Sequence, residues 1–144
     1  MGTRIQGPEA AFTARRMVRD LARDLGFAER AVEELAIVAS ELVSNALKHA
    51  GGGVLEVSAM VDPSRGPGLT IVVEDDAPVF DLQRALPDGH DANGPLDPAL
   101  LFGRRGIGAG LGAVARLSDA LRIEPTSGGK RLIAVRYVRR PAAR

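Results

Sequence analysis

A triplet of glycines, Gly51-Gly52-Gly53, divides this chain of 144 residues between two hydrophobic periods. Before it, apolar residues recur at Ala14, Met17, Val18, Leu21 and Leu25, and again at Val32, Leu35, Ala36, Ala39, Leu42, Val43, Ala46 and Ala50, the spacing of helices with one buried face. After it, Leu55, Val57, Ala59 and Val61 alternate with Val54, Glu56, Ser58 and Met60, the two-residue period of a strand with one buried side. Helices and strands that each bury a single side satisfy both by packing on one another. The first helix is predicted from about Pro8 to Leu25, since proline suits a first turn, with Gly26 as its stop. Its other side, with Arg15, Arg16, Arg19, Arg23, Asp20 and Asp24, reads as a solvated face that includes an Arg16–Asp20 pair one turn apart.

Downstream, residues 62–68 are dense in turn formers, and Leu69-Thr70-Ile71-Val72-Val73-Glu74 resumes as a strand, which makes an antiparallel hairpin. From Asp75 to Gly106 there is no sustained periodicity, apart from short helical stretches expected around Phe80–Leu86 and Pro98–Phe102. So long a loop within a compact domain points to a functional lid, here about 76–106. Helical character returns at Leu111–Leu117. A second hairpin then pairs Leu121–Glu124 with Arg131–Val138 across a turn at residues 125–129. The expected fold class is α+β: a two-layer sandwich with helices on one face of a mostly antiparallel sheet. It forms a single domain over residues 1–138, with a solvated basic tail at 139–144.

Composition narrows the function classes. A formal charge of +1 and 3% aromatic residues supply neither the field nor the stacking platform of a nucleic-acid binder. Without cysteine there is neither a disulfide framework nor a thiolate metal site, and two histidines far apart argue against zinc. No apolar run approaches the ~20 residues of a membrane span, and Met1-Gly2-Thr3-Arg4-Ile5 has no hydrophobic signal region, so a cytoplasmic protein with no membrane partner is expected.

Three segments carry possible chemistry. On the second helix, Glu41, Asn45 and Lys48 fall within one narrow sector at 100° per residue, with His49 on its edge. Ile37 and Val38 share that side, so the sector is partly apolar rather than simply solvated. In Gly103-Arg104-Arg105-Gly106-Ile107-Gly108-Ala109-Gly110-Leu111-Gly112, alternating glycines precede a helix. Backbone N–H groups without Cβ atoms can approach an anion there, and Arg104 and Arg105 stand beside them to hold a terminal phosphate. Flexible linkers show the same alternation, so the segment by itself is a weak signal. In Glu74-Asp75-Asp76-Ala77-Pro78, acids close a strand; such a carboxylate can accept the exocyclic amine of adenine, and it can also simply form a turn.

The order of polar helix stripe, acid at a strand end, long loop and glycine-rich helix start resembles the histidine-kinase-like ATPase superfamily with the Bergerat ATP-binding fold. The likeness runs from about Ala28 to Val138. It is greatest to the small serine/threonine kinases of bacterial partner-switching systems, the RsbT and RsbW types, and above all to the RsbT branch. Glu41-Leu42-Val43-Ser44-Asn45-Ala46-Leu47-Lys48-His49-Ala50-Gly51-Gly52-Gly53 is similar to their N box, and residues 106–119 to the second glycine box and the helix it opens. The resemblance implies ATP and Mg²⁺ as cofactors, with Asn45 as the metal ligand and Glu41 as general base toward a serine or threonine hydroxyl. It implies Asp75 as acceptor of the adenine amine, with Ala77 beside it, and Gly106, Gly108 and Gly110, followed by Leu111 and Gly112, around the phosphates; Lys48 and His49 would line the same pocket.

The implied partner is a STAS-domain antagonist protein, phosphorylated in a stress or sigma-factor pathway. The alternatives are an RsbW-type anti-sigma kinase and a non-catalytic module with weakened ATP binding that activates a phosphatase or docks on a stressosome. Two departures bear on the choice. The family's first glycine box, Asp-x-Gly-x-Gly, reads Asp75-Asp76-Ala77-Pro78-Val79 here, and the threonine usual at the start of the last strand is replaced, with Lys130-Arg131 following Gly129. If the lost glycines sat at positive φ, their replacements cost about 1–2 kcal/mol each or force a different loop path.

Overall fold

The computed structural model describes residues 1–82 and 110–138, together with the backbone of 90–91 and 94–95. Two helices, α1 (Glu9–Leu25) and α2 (Glu29–Ala50), precede the strands β2 (Gly53–Asp62) and β3 (Gly66–Asp75). A short helix α3 (Leu111–Arg116) leads into β6 (Ala120–Pro125) and β7 (Lys130–Tyr137). At the N-terminus β1 (Gly2–Ile5) adds an edge, and β4 (His90–Asp91) pairs with β5 (Gly94–Pro95) as a separate two-residue ladder. The main sheet has the order β1-β2-β3-β7-β6, and each of its neighbouring pairs is antiparallel. This is the α+β architecture expected from the two periods.

The helix-facing side of the sheet is built from Leu55 and Val57 of β2, Leu69, Ile71 and Val73 of β3, and Leu132 and Ala134 of β7. Against it pack Ala14, Val18 and Ala22 of α1 and Val32, Leu35, Val38, Ala39, Leu42, Val43 and Ala46 of α2. Alanines dominate the α1 side of this contact, which lets the helices lie close and leaves the larger residues to the sheet. Gly51, at φ 77°, ends α2 in the left-handed conformation, with its N–H on the Leu47 carbonyl and that of Gly52 on Ala46.

Several details depart from the expectations of sequence. The first five residues carry no strand signal, yet β1 pairs with β2 from Gly2↔Glu56 to Ile5↔Gly53, and the Met1 ammonium donates to the Val57 carbonyl at 3.2 Å. Four residues are too few to show a period, and only the pairing reveals them. The arginine side of α1 is not wholly given to water. Arg19 pairs with Glu33 at 2.9 Å, Arg23 with Glu29 at 2.9 Å, and Arg15 donates to Ser40 at 2.6 Å, so three of these arginines clip α1 to α2. In β2 the buried side ends at Val57; Ala59 and Val61 are exposed because the strand outruns the helical layer. Much of the expected lid at 76–106, the larger part of the first short helix expected in it and all of the second, and the 139–144 tail lie outside the described residues.

Candidate functional site

The polar stripe of α2 sits at the border of the core. Leu42, Val43 and Ala46 are completely buried, while Glu41 and Asn45, one turn apart, are half-buried; Lys48 and His49 reach solvent in the last turn, where cationic side chains suit a helix C-terminus. Two polar groups are thus held at the rim of a rigid helix whose other face is locked by packing. Helix α3 packs on the same α2, with Leu111, Gly112, Ala113 and Val114 buried. Gly110 caps α3 at φ 68°, a conformation that favours glycine, and the helix it opens carries the last part of the glycine segment against α2. Arg104, Arg105, Gly106 and Gly108 lie outside the described residues.

Asp75 ends β3 on the helix-facing side, continuing the series Leu69, Ile71, Val73. Directly across the ladder from it stands Lys130, the first residue of β7, which begins the helix-facing series Lys130, Leu132, Ala134. The Lys130 ammonium lies 2.6 and 2.7 Å from the two carboxylate oxygens of Asp75, and each side chain is only 1% exposed. The same carboxylate accepts the Ala77 N–H at 3.0 Å, an Asx turn that gives the altered glycine box its path. Val79 is exposed and Phe80 turns back toward the core, with its ring centre 5.8 Å from the Lys130 ammonium.

Glycines let the backbones close around this pair. A Cβ on Gly129 would run into the Asp75 carbonyl oxygen, and one on Gly53 would stand 3.1 Å from the Asp75 Cβ. In the sequence Lys130 stands out only as the replacement of a threonine. Its strand parity is the signal that such a reading misses, since counting back from Leu132 and Ala134 places it on the core side, where a lysine needs an anion.

Side-chain chemistry rather than cavity size singles out these two regions. Surface depressions of about 310 Å³ at Phe27, Glu34 and Arg136, and of about 530 Å³ at Arg4, Gly52 and Asp76, include neither Glu41 and Asn45 nor Lys130 in their walls. At the first, Arg136 reaches Glu34 at 2.9 Å and, by that hydrogen bond, holds its carboxyl below the usual carboxylate range. Among the described residues no group of three His, Asp or Glu side chains forms a metal cage. Mg²⁺ does not require one, since it keeps several waters and takes one or two protein oxygens beside substrate phosphates; the half-buried Asn45 amide suits that demand. No helix among the described residues is long and apolar enough to cross a membrane.

Residues 6–136 match the family described as the histidine kinase-like ATPase domain. The chain is 30% identical over 128 residues to the serine/threonine-protein kinase RsbT of Bacillus subtilis (strain 168), covering 88% of this chain and 87% of that protein. A solved structure of RsbU and RsbW domains from Mycobacterium tuberculosis superposes on 99% of this chain with a TM-score of 0.59 at 20% identity, a likeness of fold; the chain spans about a third (34%) of that structure's length.

Proposed function

This chain belongs to the histidine kinase-like ATPase domain family, and from that premise we propose that it is an RsbT-like switch kinase, which uses ATP to phosphorylate a serine or threonine of a STAS-domain antagonist protein. The observation that carries the reading is the placement of Glu41 and Asn45, two polar groups one turn apart, half-buried on a helix whose neighbouring residues are fully buried. Likeness to a serine/threonine-protein kinase over most of both chains supports it.

In this reading residues 1–138 are one domain, with 76–106 as its lid. The Asn45 carbonyl would hold Mg²⁺, which when bound would neutralise charge on the ATP phosphates. The Glu41 carboxylate accepts the proton of the attacking hydroxyl as its oxygen bonds to the γ-phosphorus; the bond from that phosphorus to the β–γ bridging oxygen breaks, and ADP leaves. Gly106, Gly108 and Gly110, with Leu111 and Gly112, surround the phosphates, joined by Arg104 and Arg105, with Lys48 and His49 at the margin. Asp75, beside Ala77, is the carboxylate assigned to the base. The product phosphate adds about −1.5 to −2 charge to the antagonist, enough to break an interface by repulsion and desolvation.

Transfer of labelled phosphate from ATP to a STAS-domain protein tests this. Wild type is expected to transfer and Glu41→Ala to fall by roughly 10²–10⁴; undiminished transfer by Glu41→Ala would sink the mechanism. A second reading, an interaction module with weakened nucleotide binding, draws on one observation: the carboxylate assigned to the base is already engaged by Lys130. Calorimetry separates the two, since no heat at millimolar ATP with Mg²⁺ leaves the kinase without a substrate.

A further inference from the structure

We infer that Lys130 is the specificity-determining residue on the base side of this site: an internal cation that competes with the nucleobase for Asp75 and makes binding depend on the phosphates rather than on adenine. The inference rests on the reading of Asp75 as the base acceptor. An ionised carboxylate offers about four lone-pair directions, and Lys130 and the Ala77 N–H already take three contacts on it. The exocyclic amine of adenine is a neutral donor, and a bond from an ammonium is charge-assisted and shorter, as the 2.6 and 2.7 Å distances are. An amine that took over this carboxylate would leave a fully buried ammonium without its anion, and a buried ion pair resists such a loss.

The arrangement is built into the sheet. Asp75 and Lys130 are direct partners in the β3–β7 ladder, and the missing Cβ of Gly129 lets the backbone beside them close. Neither residue can change to the other face of the sheet without a shift of register, which would carry the whole core-facing series of β7 with it. Phe80 stands beside the ammonium, so the altered glycine box ends against the pair.

Titration of the full chain with Mg-ATP and Mg-GTP tests this in wild type, Lys130→Thr and Lys130→Gln, each checked for its fold by circular dichroism. Glutamine keeps a donor of similar reach without the charge, and so covers the event that the threonine variant does not fold. Wild type is expected to bind ATP and GTP within about threefold of each other. The folded Lys130 variants are expected to gain about tenfold or more in affinity for ATP, with GTP unchanged, and to lose that gain when Asp75→Asn is added. A wild-type enzyme that binds neither nucleotide, beside a variant that binds ATP, supports the inference in its strongest form.

An unchanged ATP-to-GTP ratio, or binding of neither nucleotide by the folded variants, overturns the inference. So does a tenfold wild-type preference for GTP, because the pair would then read guanine, with carboxylate on its N–H groups and ammonium on its O6. Asn45→Ala in the same titration keeps the two readings apart: equal affinities of wild type and Asn45→Ala for ATP count against the kinase site, whereas the Lys130 variants report on the base side alone.

Discussion

The stripe on α2 and the rung that joins β3 to β7 both place polar residues at the edge of the same core, and they do so in opposite ways. Glu41 and Asn45 are half-buried on a helix whose packing does not need them, since Leu42, Val43 and Ala46 supply the buried contact. Asp75 and Lys130 are inside, closed on each other, and the sheet end is assembled around them. A polar residue that packing leaves partly open can be reached from solvent. One that is buried with a partner is committed to structure first, and any ligand must compete with that partner.

The contrast can be broken most sharply by exchanging the expected roles. Glu41→Ala is expected to lower phosphotransfer by roughly 10²–10⁴ while the urea midpoint moves by less than about 1 kcal/mol in stability; a large loss of stability would place Glu41 with the structural pair instead. Asp75→Ala leaves Lys130 buried without an anion and is expected to cost about 3–5 kcal/mol, read from chemical denaturation. Replacing both members, Asp75→Leu with Lys130→Met, is expected to return most of that stability, and a double variant as weak as the single one would show that the rung depends on more than its charges.

Gly129→Ala probes the same rung through the backbone. Its Cβ meets the Asp75 carbonyl, and a loss of about 1–3 kcal/mol is expected, measured by thermal melting. The smallest effect lies away from both regions. Arg136 depresses the Glu34 carboxyl below its ordinary value of 4.5, so the pair stabilises the fold above that pH, and its contribution fades as pH falls through the lowered value. Glu34→Gln is therefore expected to cost about 0.5–1 kcal/mol at pH 7 and to flatten the decline of the melting temperature between pH 5 and pH 3. Glu29 and Glu33, held low by hydrogen bonds from Arg23 and Arg19, act in the same direction.

Features whose partners are close in sequence are legible in the sequence itself. The bounds of α1, the presence of α2 and its end at the glycine triplet, both hairpins and the shared sector of Glu41 and Asn45 all follow from spacings of one to four residues, which the backbone geometry of helix and strand converts directly into faces. Of the glycine segment, the part from Gly110 into the start of α3 is the part that can be compared, and there the helix begins where the spacing puts it. The arginines of α1 read as a solvated face because the acids that hold Arg19 and Arg23 belong to the next helix.

What the tertiary structure alone decided is the pairing of groups far apart in the chain. The first residues become a strand only because β2 offers an open edge, and Asp75 meets Lys130 across 55 residues only because the β3–β7 register sets them opposite. A local pattern states which side of an element is apolar. It does not state which charge will be buried against which, because that depends on a register chosen by the packing of the whole sheet against its helices.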